Sequence, residues 1–167
     1  KIFISEILPQ PDGDEEEFVE LANFATTTVN LEGAILRIGS RGKTFEASAS
    51  IEPNGFLAIY EDDLPARLRN SGQTVKLFDA FGRLISEAVY PKAQAGKAFA
   101  SLDGKNYSWT SSLTPGEENQ FVLGETVMAQ GQTEGLAQAG VKNKTTASVA
   151  TAAQMSKVLS ANKDMQT

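Results

Sequence analysis

Over the first 120 residues, apolar and polar positions alternate in short runs separated by turn-forming residues. Ile2 to Leu8 is rich in β-branched and aromatic residues, with Ile2 and Ile4 on one face, and it runs into Pro9 and Pro11. This predicts a strand ended by a turn. Phe18 to Ala22 predicts a second strand, with Val19 and Leu21 on one side, Phe18 and Glu20 on the other, and Asn23 closing it. Between them lies an acidic tip, Asp12 to Glu17. Ala34 to Ile38 and Lys43 to Ala47 predict two strands joined by a turn over Gly39 to Gly42. Pro53-Asn54-Gly55 predicts a type II turn with glycine supplying the positive φ. Phe56 to Tyr60 is the most apolar run and predicts a central strand. Asp62 to Leu68 predicts a single helical turn capped by Asp62 or Asp63. Thr74–Phe78, Leu84–Tyr90, Lys97–Leu102 and Tyr107–Trp109 predict further strands, with Leu113 to Asn119 as an irregular closing segment. Eight or nine short strands with frequent turns and no βαβ alternation predict an all-β sandwich or barrel.

The pattern changes near residue 120. Positions 124–167 are dominated by Ala, Thr, Gln, Ser, Gly and Lys and contain no aromatic residue. Such a stretch buries too little apolar surface to offset its conformational entropy. The expected organisation is a β domain over 1–120 and a linker over 121–167, with an Ala-rich stretch at 148–161 that forms at most a short helix.

Composition narrows the chemistry. The chain contains neither Cys nor His. Thiol nucleophiles, imidazole catalysis, His-containing triads and thiolate or imidazole metal sites are therefore excluded. The absence of disulfides points mildly to a prokaryotic or reducing setting while leaving a bacterial surface open. No apolar run approaches the roughly 20 residues of a membrane helix. The chain has neither a starting Met nor a signal-peptide pattern, so the expectation is a mature or excised piece of a longer protein. Net charge is −6 overall; residues 1–120 carry 11 Lys and Arg against 18 Asp and Glu, which is −7 for the domain. An acidic domain disfavours nonspecific nucleic-acid binding, though a local basic patch can override the sum.

Several short motifs occur together and in order. They begin with Ile4-Ser5-Glu6-Ile7-Leu8-Pro9-x-Pro11 and Glu17-Phe18-Val19-Glu20-Leu21-x-Asn23. Val29-x-Leu31-x-Gly33 and Ile51-x-Pro53-x-Gly55-Phe56-Leu57 come next. Leu68-x-Asn70-Ser71-Gly72-x-Thr74-Val75-x-Leu77, Asp79-x-x-Gly82-x-Leu84-Ile85 and Val89-Tyr90 follow. The last piece is Trp109, then Thr114-Pro115-Gly116-x-x-Asn119. As an ensemble over residues 1–120 the chain resembles the lamin tail domain family, in its bacterial form. One departure is Ala34, where the family often has Trp after the glycine. The resemblance implies an immunoglobulin-like β-sandwich without catalytic residues of its own. In eukaryotic lamins the domain follows a rod and binds proteins, and weakly DNA and chromatin. In bacteria it is an accessory module on secreted or surface proteins, including nucleases and phosphatases.

The expected function is thus a non-catalytic interaction or spacer module of a secreted or cell-surface bacterial protein. Its expected partner is a protein or a cell-surface component rather than nucleic acid. The alternatives are an intracellular location, an accessory targeting domain of a secreted hydrolase whose catalytic part is absent, and an adhesive domain for polysaccharide or DNA. No cofactor is expected. Calcium is the one candidate ion: Asp12, Asp14 and Glu16 offer oxygens at alternate positions beside Gly13, although EF-hand spacing is absent and a solvated hairpin tip that protects the sheet edge is the commoner explanation. Glu6, Glu17 and Glu20 are three carboxylates that paired strands bring together. Paired carboxylates run glycoside hydrolysis when held across a cleft, but ion pairs or plain solvation are the commoner use. Arg37, Arg41 and Lys43 on one hairpin, with Arg67 and Arg69 in one loop, form a candidate basic face for an anionic partner, or ordinary surface. Trp109 is expected in the core and Phe81 partly exposed. The S-x-x-K spacings at Ser40 and Ser160 lack the partner motifs of acyl-transfer enzymes.

Overall fold

The structure is a computed structural model that describes residues 1–122 together with Val149 and Ala150. Its strands, in chain order, are β1 (Ile2–Leu8), β2 (Phe18–Asn23), β3 (Val29–Asn30), β4 (Ile35–Ile38), β5 (Arg41–Thr44), β6 (Ser50–Ile51), β7 (Phe56–Tyr60), β8 (Gln73–Phe78), β9 (Leu84–Tyr90), β10 (Ala98–Ala100), β11 (Ser108–Thr110), β12 (Phe121–Val122) and β13 (Val149–Ala150). A five-stranded sheet, β11-β10-β1-β2-β7, and a four-stranded sheet, β5-β4-β8-β9, form an immunoglobulin-like sandwich. Two ribbons, β3-β6 and β12-β13, complete the pairing among the described residues. Every pair is antiparallel. Apart from Phe121–Val122 and Val149–Ala150, which pair with each other, the segment over 121–167 expected to be a linker with a short helix at 148–161 lies outside the described residues.

The core lies between the two sheets. Ile4, Ile7, Val19 and Leu21 of one sheet meet Leu36, Ile38, Val75, Leu77 and Tyr90 of the other, with Trp109 at one side. Trp109 is core, as expected, while Phe81 at its turn tip is 85% exposed. Ala34 is buried in the same core cluster.

The β1–β2 hairpin is the spine of the larger sheet and is buried over nearly its whole length. A strand covered on one face shows strict alternation; a strand covered on both does not. The register slips between Ile4 and Glu6, so Ser5 is an extra residue, a β-bulge. The bulge inverts the parity of side chains along β1. Ile4 and Ile7, three apart, therefore both enter the core, opposite Leu21 and Val19. Phe3, Glu6 and Leu8 stand on the other face, opposite Ala22, Glu20 and Phe18. The backbone groups displaced by the bulge find partners elsewhere. Ile4 N donates to Ser86 Oγ (3.1 Å), Tyr107 Oη donates to Ile4 O (2.6 Å), and Ser101 N donates to Ser5 O (2.8 Å).

Three sequence expectations are corrected. Phe56–Tyr60 is an edge strand, not a central one: Tyr60 is 42% exposed, and apolar content alone misplaced it. The turn after Glu52 is of the expected kind, but the positive φ (57°) belongs to Asn54, not to Gly55. Gly55 leaves room instead, since a Cβ there would crowd Glu52 O at 3.0 Å. The helical turn is a 3-10 turn over Glu61–Asp63 with no side-chain cap, so Asp62 and Asp63 sit inside it rather than capping it.

Candidate functional site

The three glutamates of the first hairpin end up in different surroundings, and none is paired to a cation within salt-bridge distance among the described residues. Glu6 and Glu20 face each other across β1 and β2, each 0% exposed. Their lid is the segment that follows β11. Thr114 N donates to Glu6 Oε2 (3.3 Å), and Thr114 Oγ1 lies 3.0 Å from the same oxygen. Gly116 N donates to Glu20 Oε2 (2.6 Å), and Ser5 Oγ donates to Glu20 Oε1 (2.7 Å). Asn119 Nδ2 donates to the carbonyls of Ser5 (3.0 Å) and Ser101 (3.1 Å). Its Oδ1 lies 3.1 Å from Thr114 Oγ1.

Proton counting gives this network a direction. Both amide protons of Asn119 are spent on carbonyls, so its Oδ1 accepts the single hydroxyl proton of Thr114. Thr114 Oγ1 is then an acceptor toward Glu6, which completes the chain when Glu6 is protonated. The pKa displacements agree. Burial raises Glu6 from 4.5 to about 7, and the Thr114 N–H only partly opposes this. Burial raises Glu20 from 4.5 to about 8; Gly116 and Ser5 pull it down and the Glu6 charge pushes it up. Two carboxyls facing each other without a cation titrate as a pair, which still keeps at least one of its two protons near pH 7.

Glu17 behaves like a weaker version of the same device. Its Oε2 accepts from Leu68 N (2.9 Å), and burial raises its pKa above the ordinary value despite that bond. All three carboxyls thus serve backbone amides and hydroxyls. Glycoside chemistry needs two carboxyls flanking an open cleft. Glu6 and Glu20 lie under a closed segment, and among the described residues they have neither the cleft nor the expected Arg or Lys partners. The residues that sequence reading missed are Thr114, Gly116 and Asn119. Their signal was the Thr-Pro-Gly-x-x-Asn motif itself.

Asp12, Asp14 and Glu16 are exposed on the hairpin tip, and Asp12 Oδ1 accepts from Gly13 N (3.0 Å). Among the described residues no three His, Cys, Asp or Glu gather as a metal ion requires. Asp14 and Glu16 instead rim a cavity of about 440 Å³ floored by Leu8, Phe18, Tyr60, Leu113 and Pro115. The basic residues divide. Arg37 lies over the Phe78 ring, 4.9 Å from its centroid, and Lys43 pairs with Asp63 (2.6 Å). Arg41, Arg67 and Arg69 come together around one cavity. Tyr107 stacks on Phe99, 5.2 Å between centroids, so it belongs to the packing. Ser40 sits in the β4–β5 hairpin turn, and Ser160 lies outside the described residues.

No helix among the described residues is long and apolar enough to cross a membrane. A family model described as Lamin Tail Domain matches residues 1–92, more than half of the chain. No curated protein and no solved structure matches it.

Proposed function

The chain belongs to the lamin tail domain family, and from that premise we propose that it works as a non-catalytic interaction and spacer module of a secreted or cell-surface bacterial protein. The residues beyond 120 serve in this reading as the tether to a further domain or anchor. The partner is a protein or another component of the cell surface.

One observation carries the proposal. The only carboxyl pair that the hairpin brings together is sealed from solvent and spent on holding the segment from Leu113 to Asn119. A buried, hydrogen-bonded pair rigidifies a fold, whereas a catalytic pair must reach a substrate. This reading includes no cofactor. Calcium at Asp12, Asp14 and Glu16 is the alternative, and calorimetric titration with Ca²⁺ separates the two: heat and a higher melting temperature favour calcium, neither favours the cofactor-free reading.

The test has two arms. The purified chain is assayed on a chromogenic phosphomonoester, a phosphodiester and a glycoside; no turnover is expected. The chain fused to a fluorescent reporter is then incubated with intact cells of the producing strain. Saturable retention on the cell surface is expected. Turnover that disappears in the Glu6→Gln, Glu20→Gln double variant, or a reporter that is not retained, overturns the proposal.

A further inference from the structure

The sequence places arginines in two separate stretches, and the fold makes them neighbours. Arg41 stands at the start of β5, next to the β4–β5 turn. Arg67 and Arg69 stand in the loop before β8. All three line one open cavity of about 600 Å³, together with Gly39, Ser40 and Gln73. No carboxylate lines it, although residues 1–120 carry a net charge of −7. Charge of one sign concentrated in a concave site focuses potential there, against the sign of the whole domain.

Accounting for the charges leaves two arginines available. Arg67 is paired with Glu61. Among the described residues no carboxylate lies within salt-bridge distance of Arg41 or Arg69. The other titratable groups nearby stand behind the cavity wall, with Glu17 acting electrostatically on Arg67 and Tyr90 on Arg69. Glu17 accepts from Leu68 N, and the Tyr90 hydroxyl, its pKa pushed up to about 12 by burial, lies 3.4 Å from Gln73 Oε1. Gln73 Oε1 also accepts from Arg69 N (3.0 Å), which leaves Nε2 as the donor end of that amide. Gly39, at φ +58°, makes room for it: a Cβ there would come within 3.0 Å of Gln73 Nε2. The cavity therefore combines two unpaired guanidinium forks, a neutral amide donor and the Ser40 hydroxyl.

We propose that this cavity is a binding site for a terminal tetrahedral oxyanion, the phosphate or sulfate group of a monoester, gripped by Arg41 and Arg69 with Gln73 Nε2 completing the donor set. Guanidinium forks match such oxyanions with paired hydrogen bonds. The volume suits one small ligand group. The negative charge of the surrounding domain repels an extended polyanion at long range, so the site favours a compact end group over a nucleic-acid backbone. The inference goes beyond the surface-module reading and does not depend on it.

The test is a titration of the ¹⁵N-labelled chain with glucose 6-phosphate and, separately, glucose 6-sulfate, at constant ionic strength set by chloride, with glucose as the neutral control. The expected result is saturable amide shifts confined to Gly39, Ser40, Arg41, Arg69 and Gln73 with at least one ester, and none with glucose. The relative affinities identify the phosphate or the sulfate as the natural group. Arg41→Ala and Arg69→Ala each weaken binding by about tenfold or more, as loss of a charge-assisted contact does. Arg37→Ala leaves it unchanged, and Arg69→Lys retains part of it. Both arginines are exposed, and the spectra of their variants are expected to superimpose on the parent elsewhere. Shifts that never saturate, shifts scattered over all basic residues, or equal binding by the Arg41→Ala and Arg69→Ala variants overturns the proposal.

Discussion

Replacing Glu20 by glutamine should leave the domain nearly unchanged in acid and make it more stable in mild base. In the folded chain Glu20 is fully buried, accepts from Gly116 N and Ser5 Oγ, and faces Glu6 with no cation in salt-bridge distance among the described residues. Burial raises its pKa from 4.5 to about 8. The folded state therefore keeps a proton across that window while the unfolded state releases it. Stability is fully present below about pH 4.5, falls as pH rises, and levels off above about pH 8. At roughly 1.4 kcal/mol per pKa unit the displacement corresponds to a loss of about 5 kcal/mol across the window. Glu6 shares the proton, so the loss belongs to the pair. Glutamine keeps both contacts: its carbonyl accepts from Gly116 N and its amide donates to Ser5 Oγ. It cannot ionise. Urea unfolding at a series of pH values, extrapolated to water, measures the difference. Near pH 5 the variant is expected within about 1 kcal/mol of the parent, and near pH 8.5 it is expected to be more stable by roughly 2–4 kcal/mol. A parent whose stability is flat across this window, or a variant equally destabilised at both ends, refutes the assignment of Glu20 as a buried neutral acid.

Asn119→Ala removes two donated bonds and the acceptor for Thr114, leaving buried carbonyls on Ser5 and Ser101 with one partner fewer. A loss of about 3–5 kcal/mol is expected by urea unfolding. Gly104→Ala should cost about 2–4 kcal/mol, because φ is +71° and the new Cβ would lie 2.6 Å from buried Phe3. Gly82→Ala, with φ +78° and open space around it, isolates the backbone contribution and should cost only about 1 kcal/mol. Equal losses at the two glycines would show that the loop over Phe3 yields freely.

The sandwich was legible because turn residues punctuate the chain at short intervals and strand residues fill the gaps. Legibility failed where burial is two-sided or where partners come from far along the chain. Ile2 to Leu8 does not alternate cleanly because the bulge at Ser5 inverts its parity and because both faces are covered. Phe56–Tyr60 looked central from its apolar content, yet it closes an edge. Glu6 and Glu20 were visible as a pair from the hairpin alone. Their use was not, because Thr114 and Gly116 lie about a hundred residues away and the pairing is neutral rather than ionic. Asn23 shows the same thing at shorter range. Read as the close of a strand, it is a buried connector whose Nδ2 donates to the carbonyls of Thr27, Ile51 and Glu52. Arg41, Arg67 and Arg69 were legible as residue types, and only the docking of the β4–β5 turn against the loop before β8 reveals that they share a cavity.

The central claim is that the segment from Leu113 to Asn119 closes over a pair of buried carboxyls that hold protons up into the neutral range and are structural. Its most direct test is a ¹³C titration of the glutamate side-chain carboxyls, read together with the amide shifts of Thr114 and Gly116. Two carboxyls should titrate with apparent values near 7 and 8, and the two amides should follow them. If every glutamate instead titrates near 4.5 and the Thr114 and Gly116 amides do not respond, the carboxyls are solvated and the closing segment does not hold them.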